Sequence, residues 1–475
     1  MTGRWSMEPA APRRWRRVAV AVGLVGVFAA SLAAGWAVAG VPRGTDGRTA
    51  GPAGSPAATP AALASPAPTP SSSPPATPAS ASPGSPSPST TPPPSVAPPT
   101  PSPSPAPSAS PVVPKAMAAR LDRALASAQR TLQLPGVEAT VIFPDGSTWT
   151  GVRGLADAKT GRRVRPDTPF AMASVTKTFT AALILRYVDK GRIRLDDRLS
   201  KWLPAWPNAR AITIRMLLNH TAGIPDYFKN PKFDLVLNRD KRHVWTMEEA
   251  LADYVRPGVV FPAGKGWSYS NSNYALLGLV AEKVGGEAWE TLVRRELIDP
   301  LGLDSTYVQA AEDPPSAPAR AHLMIAGNRG PVPRVRTDGT DVVPFTSVIT
   351  AAGSAGAMAS TTQDLARWAR ALYGGHVLTA ATKRQMLTFI RAYSYGTITS
   401  YGLGVSRVRF QGRAAYGHTG ALTGTRAAIR YFPNDRVTVA VLFNRETYVG
   451  DDVVRILART LFPNPPSSPS ATPSP

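Results

Sequence analysis

Cysteine is absent from the 475-residue chain. That removes disulfides, thiolate metal sites and a cysteine nucleophile from consideration, and leaves the compartment open. Histidine is nearly as scarce. His220, His243, His322, His376 and His418 form no H-x-H or H-E-x-x-H cluster, which argues against a zinc hydrolase. No G-x-S-x-G elbow occurs, and Gly353-Ser354-Ala355-Gly356 lacks that spacing. Lysine contributes only 11 of the 53 basic residues, so a lysine inside a motif carries information. Charge itself vanishes from Gly51 to Pro114, where 23 of 64 positions are proline among Ala, Ser and Thr.

An uncharged, proline-rich segment offers too little apolar side chain to offset the entropy of ordering. It reads as a stalk over residues 42–114, biased to polyproline II, with a reach of roughly 200 Å at about 3.1 Å per residue. The tail, residues 463–475, has the same composition. Ahead of the stalk, a basic segment (residues 1–17, with Arg13, Arg14, Arg16 and Arg17) precedes an apolar run from Val18 to Val41. About 24 apolar residues are enough to span a bilayer, and the arginines hold the first segment in the cytoplasm. The run reads as a membrane anchor; the competing reading is a signal peptide cleaved at Ala37-Val38-Ala39. In both readings the globular part, Lys115 to Phe462, lies outside the membrane.

The net charge is +22, of which residues 1–114 contribute only +5. For an exported domain this excess points to anionic wall polymers or lipid headgroups and not to nucleic acid. A plain arginine-rich surface without a partner is the alternative.

Within residues 115–462, helical apolar spacing covers Lys115–Leu134 and stops at Pro135-Gly136. Val137–Phe143 and Ser147–Arg153 flank a Pro-Asp-Gly turn and read as a hairpin. A helix follows from Ser174 to Lys190, mostly helical sequence from about Leu195 to Leu303, and an irregular stretch over Ala310–Pro344. After a helix at Thr362–Tyr373, Ala427–Phe432 and Arg436–Phe443 form a second hairpin before a last helix, Gly450–Leu461. Strands at both ends with helices between predict an α+β fold, one antiparallel sheet built from both termini with an inserted helical lobe.

Three short motifs carry the chemistry: Ser174-Val175-Thr176-Lys177, Tyr269-Ser270-Asn271 and His418-Thr419-Gly420. Only Lys177 has a serine three residues before it, and only Tyr269 has an asparagine two residues after it. Ser and Lys three apart on a helix share a face. A serine hydroxyl needs a proton acceptor, and a lysine serves once burial lowers its pKa. Tyr269 sits on a loop entering a helix, and His418-Thr419-Gly420 is expected on or beside an edge strand. Lys159-Thr160-Gly161 looks like a plain turn, and His220-Thr221, with Ala222 where a glycine is needed, reads as mainly structural.

Taken together, Phe170–Pro204, Ile212–Tyr227, Phe261–Val308 and Tyr416–Asn444 resemble the serine β-lactamase-related family of class C β-lactamases, D-alanyl-D-alanine carboxypeptidases, esterases and D-amino-acid peptidases. The resemblance implies a β-lactamase/DD-peptidase-like fold with Ser174 as the acylated nucleophile and Lys177 as its proton acceptor. Tyr269 would shuttle protons, and Asn271 would bind the substrate amide. His418 and Thr419 would face Tyr269 and the substrate carboxylate beside Gly420. The backbone N–H groups of Ser174 and Ala421 would form the oxyanion hole. Arg407, Arg409 and Arg426 are the candidate carboxylate-binding arginines. Class C β-lactamases have Lys where this chain has His418, which favours a carboxypeptidase-like hydrolase on peptidoglycan stem peptides. Ester, β-lactam or D-amino peptide bonds are the second reading, and a wall-binding module without chemistry is the third. No metal or organic cofactor is implied.

Overall fold

A computed structural model describes residues 111–463, apart from 329, 396–397 and 448–449. The basic segment, the apolar run 18–41, the stalk through residue 110 and the tail from 464 lie outside the described residues. Among the described residues, no helix is long and apolar enough to cross a membrane.

The framework is a nine-stranded antiparallel sheet. Its strands are β1 (Gly136–Ile142), β2 (Thr148–Asp157), β3 (Arg162–Arg163), β4 (Ile390–Tyr395), β5 (Ile398–Tyr401), β6 (Ser406–Phe410), β7 (Arg413–Leu422), β8 (Thr425–Phe432) and β9 (Val437–Phe443). They run in the order β3-β2-β1-β9-β8-β7-β6-β5-β4. The first and last parts of the domain therefore meet at β1 and β9, paired from Val137 opposite Phe443 to Ile142 opposite Thr438.

Both faces of the centre are covered. Val137, Ala139 and Val141 of β1, with Val439, Val441 and Phe443 of β9, pack into one core. That core also receives Leu121, Leu125 and Ala128 of helix α1 (Lys115–Thr131). Residues at i, i+4 and i+7 make one helical face, which is why that stripe folds onto the sheet. Val453, Val454 and Leu457 of the last helix, Gly450–Leu461, join the same layer. The other face carries the larger core and the helical lobe, with helices α2 (Thr176–Asp189) and α3 (Asn271–Gly285) at its centre. Both are buried over most of their circumference, which their apolar runs Ala181–Leu185 and Tyr274–Ala281 allow.

The α+β architecture read from the sequence stands, with three corrections. Ala310–Pro344 is not wholly irregular, because Ala321–Ile325 pairs with Val332–Arg336 as a separate hairpin. The sheet extends beyond the strand carrying the histidine motif by β4 to β6, which the sequence reading does not contain. The histidine motif lies on β7, an interior strand. Its last pair with β6 is Gly417 opposite Ser406, so residues 418–422 run beyond β6 and keep one side open.

Glu138 on β1 is fully buried. Its Oε1 accepts from the Thr362 hydroxyl (2.7 Å) and amide (3.3 Å), while Oε2 has no hydrogen-bond partner. Burial pushes its carboxyl from 4.5 up to about 8. Between those values the unfolded chain releases a proton that the folded chain retains, so stability falls as pH rises through that window and levels off above it. Glu138→Gln removes this linkage. Thermal unfolding across pH 4 to 9 should show the variant matching the parent at the acid end and exceeding it by roughly 3–5 kcal/mol at the alkaline end.

Candidate active site

Ser174 lies in a 3-10 turn, Ala173–Val175, that feeds directly into α2. Ala173 has φ +51°, a left-handed conformation that costs a non-glycine residue free energy. The turn is held by its neighbours: the Met172 amide donates to the Met358 carbonyl (3.0 Å), and the Met358 amide donates to the Thr176 hydroxyl (3.2 Å). From the sheet side, β7 presses so closely that a Cβ on Gly420 would overlap the Met172 carbonyl oxygen. Only glycine lets the strand approach the turn this far.

Two residues past that turn, Lys177 is completely buried although Ser174 is partly exposed. Lys177 Nζ lies 3.1 Å from Ser174 Oγ, 2.7 Å from Asn271 Oδ1 and 2.7 Å from the Ala355 carbonyl oxygen. Burial lowers its pKa from 10.5 to about 7, against an opposing contribution from the Asp226 carboxylate. A lysine in this state can take the serine proton near neutral pH.

Asn271 opens α3. Its Oδ1 faces Lys177, and its Nδ2 donates to both Asp226 carboxylate oxygens, at 3.2 and 3.1 Å. The amide expected to meet substrate is engaged at both ends by protein. Neither Asp226 nor the Ala355 carbonyl was visible in sequence. Asp226 follows an ordinary Gly-Ile-Pro loop 45 residues before Asn271, and Gly353–Ala355 drew notice only as a failed nucleophile elbow. The Ala355 turn is tied down from both sides: the Thr180 hydroxyl donates to the Ser354 carbonyl (2.6 Å), and the Ser354 hydroxyl donates to the Tyr274 carbonyl (2.9 Å).

Tyr269 is buried, with its ring centroid 5.0 Å from Lys177 Nζ and 4.4 Å from the His220 ring. His220 is fully buried at φ +64°. Its Nδ1 accepts from the Ser270 amide (3.3 Å) and meets the Asn273 amide nitrogen (3.2 Å), so it supports the loop that presents Tyr269. His418 is also buried, 6.2 Å from Tyr269 between ring centroids. Its Nε2 meets the Tyr401 hydroxyl at 2.9 Å, and its Nδ1 meets the Thr419 carbonyl oxygen at 2.6 Å. A carbonyl accepts only, so Nδ1 carries the proton and Nε2 accepts from Tyr401. Burial, aided by the Lys177 charge, lowers the His418 pKa to about 3. The third motif is therefore neutral and turned toward Tyr401, a residue the sequence did not single out.

Thr419 and Ala421 sit on the open stretch of β7 beside the Ser174 turn. Of the three arginines, Arg426 is directly opposite Ala421 in register. Arg407 pairs with Tyr416 and Arg409 with Ala414, toward the other end of the strand. Lys159-Thr160-Gly161 is the turn between β2 and β3.

The Beta-lactamase family profile matches residues 121–462. Among curated proteins, penicillin-binding protein 4 of Amycolatopsis lactamdurans is 31% identical over 327 residues, covering 66% of this chain and 81% of that protein. Penicillin-binding protein 4* of Bacillus subtilis (strain 168) is 27% identical over 321 residues, covering 66% and 69%. Among solved structures, a D-stereospecific amidohydrolase from Streptomyces sp. is 29% identical with a TM-score of 0.61, covering 74% of this chain and 99% of its own.

Because the ammonium of Lys177 has no lone pair, the lysine can accept a proton from Ser174 only as pH rises through about 7. Burst kinetics with an active-ester probe should show acylation climbing across that point and levelling above it. Lys177→Met should lower the plateau roughly 10²- to 10⁴-fold.

Proposed function

This chain belongs to the Beta-lactamase family, and from that membership we propose a serine-type, D-alanyl-D-alanine carboxypeptidase-like hydrolase acting on peptidoglycan stem peptides. The observation that carries the reading is the sealed Lys177 amine, 3.1 Å from the one partly exposed nucleophile of the cluster.

In the acylation step Ser174 Oγ loses its proton to Lys177 Nζ and bonds to the penultimate D-Ala carbonyl carbon. Developing negative charge on the carbonyl oxygen falls to the N–H groups of Ser174 and Ala421. The scissile C–N bond then breaks as a proton reaches the leaving amine through Tyr269. Water reverses the sequence on the ester and frees Ser174. The terminal carboxylate of such a substrate needs donors and positive charge at the open end of β7, where Thr419 lies and where Arg426, which also donates to the Leu422 and Thr425 carbonyls, stands opposite Ala421.

Support for the D-Ala-D-Ala bond comes from the two penicillin-binding relatives and from the neutral His418 in the third motif. The export reading joins it: the run 18–41 would hold the enzyme outside the membrane, and the proline-rich stalk would let it reach the wall. A second reading, hydrolysis of D-configured amides or esters by the same groups, is favoured by the likeness to the Streptomyces amidohydrolase.

Intact mass of the protein after brief exposure to benzylpenicillin tests the nucleophile. A persistent adduct equal to the drug, absent in Ser174→Ala, is expected, and an adduct that survives that substitution rules the assignment out. D-Ala release from a diacetyl-Lys-D-Ala-D-Ala peptide, compared with turnover of D-phenylalanine amide, separates the two readings.

A further inference from the structure

Lys177 Nζ has three neighbours, and two of them are carbonyl oxygens that only accept. A neutral amine has two N–H groups and one lone pair. When Asn271 Oδ1 and the Ala355 carbonyl take both N–H groups, the lone pair is left facing the third neighbour, Ser174 Oγ. This orientation depends on which end of the Asn271 amide faces the lysine. Turned over, Nδ2 would donate to the lone pair and occupy the base.

We propose that Asp226 is the positioning residue that prevents this reversal. Burial raises the Asp226 pKa, opposed by Lys229, Lys177 and the bonds from Asn271 and Phe228; in its ionised form the carboxylate only accepts, so its bonds to Asn271 at 3.2 and 3.1 Å come from Nδ2 and Oδ1 points at Lys177. Asp226 is itself fixed, because its Oδ1 accepts from the Phe228 amide (3.1 Å) and so caps the 3-10 turn Tyr227–Lys229. Asp226 thus acts through Asn271 without touching substrate. The inference rests on the acyl-serine reading above, which Ser174→Ala tests separately.

Several ionisable groups face this pair. Tyr269 and Tyr274 approach Lys177 from the loop into α3 and from α3, and His220 and His418 approach from the helical lobe and β7. Lys229 lies on the Asp226 side. Both histidines are held neutral by burial, so Asp226 is the group whose charge opposes deprotonation of Lys177.

The test is acylation by an active ester as a function of pH in Asp226→Asn and Asp226→Glu, with the parent and Ser174→Ala alongside. An asparagine at 226 supports either amide orientation and carries no charge. Its alkaline plateau should fall at least tenfold with KM little changed, while the acid limb moves to lower pH by roughly half to one unit. Asp226→Glu, which keeps an acceptor-only group, should retain the parent limb and recover part of the plateau. A role in folding alone would lower the active fraction and leave the limb in place, so a smaller amplitude with an unmoved limb overturns the proposal. An unchanged plateau in Asp226→Asn does so as well. If Asp226→Asn does not fold, an Asp226→Glu limb displaced from the parent counts against the proposal, and a parent-like limb counts for it. Acylation persisting in Ser174→Ala instead removes the underlying reading.

Discussion

Withdrawing one amino group from water is the constraint around which this domain is arranged. Lys177 is fully buried, on a helix whose other side chains are mostly apolar. A buried cation without partners is costly, so the group is either surrounded by acceptors or discharged. This protein does both. Two carbonyl oxygens and a serine hydroxyl surround it, and the remaining desolvation brings its pKa to about 7. Each acceptor needs its own scaffold. The Ala355 carbonyl depends on a turn wedged between α2 and α3, where Gly278 is required because a Cβ would overlap the Ser354 hydroxyl. The Asn271 amide depends on Asp226. The Ser174 hydroxyl depends on a left-handed Ala173 held in place by β7.

The electrostatics of the cluster run against those of the whole. The chain carries +22, yet the groups closest to Lys177 contribute almost no positive charge. His220 and His418 lie well below the ordinary imidazole value because they are buried and share the lysine's field. Protonating either beside an ammonium would pair like charges in a poorly solvated space. The consequence for His418 is structural as well as electrical. With its proton on Nδ1, it accepts from Tyr401, and the tyrosine and histidine lock together one layer behind Tyr269. The arginine nearest this stretch of β7 is Arg426, opposite Ala421, and its guanidinium donates to the Leu422 and Thr425 carbonyls.

Much of this was legible in the sequence because it is local. The Ser-x-x-Lys spacing is a property of one helix, the apolar periodicities of α1 and the end hairpins belong to single segments, and the motif order led to the family. The parts that escaped are non-local. Asp226 is an acid in a loop until the fold brings it to Asn271. The Ala355 contribution is a backbone carbonyl, which any residue type supplies. His418 looked like an edge residue because β4 to β6 were not recognised, and the open side of β7 arises only from where β6 happens to stop. Asn271 was legible as a participant, but its partners are set by tertiary contacts, so its orientation was not.

The sheet explains why these pieces cannot be separated. Ser174 and Lys177 come from the first third of the domain and His418 from the last, and the two are joined through the β1–β9 pairing. Asn444 reinforces that seam, accepting from the Gly136 amide (2.7 Å) and donating to the Leu155 carbonyl (3.0 Å) across about 300 residues of sequence. The last helix is fastened to β8 by a fully buried pair, Arg430 with Asp451, whose guanidinium also reaches the Ser406 hydroxyl on β6. Breaking such a pair leaves an uncompensated charge in the core, so the helix and the strands are committed together. Gly420 packs so closely against Met172 that the Ser174 turn depends on the closed sheet for its geometry. Removal of β1 or β9 should therefore disturb the Ser174 turn even where every motif residue is retained.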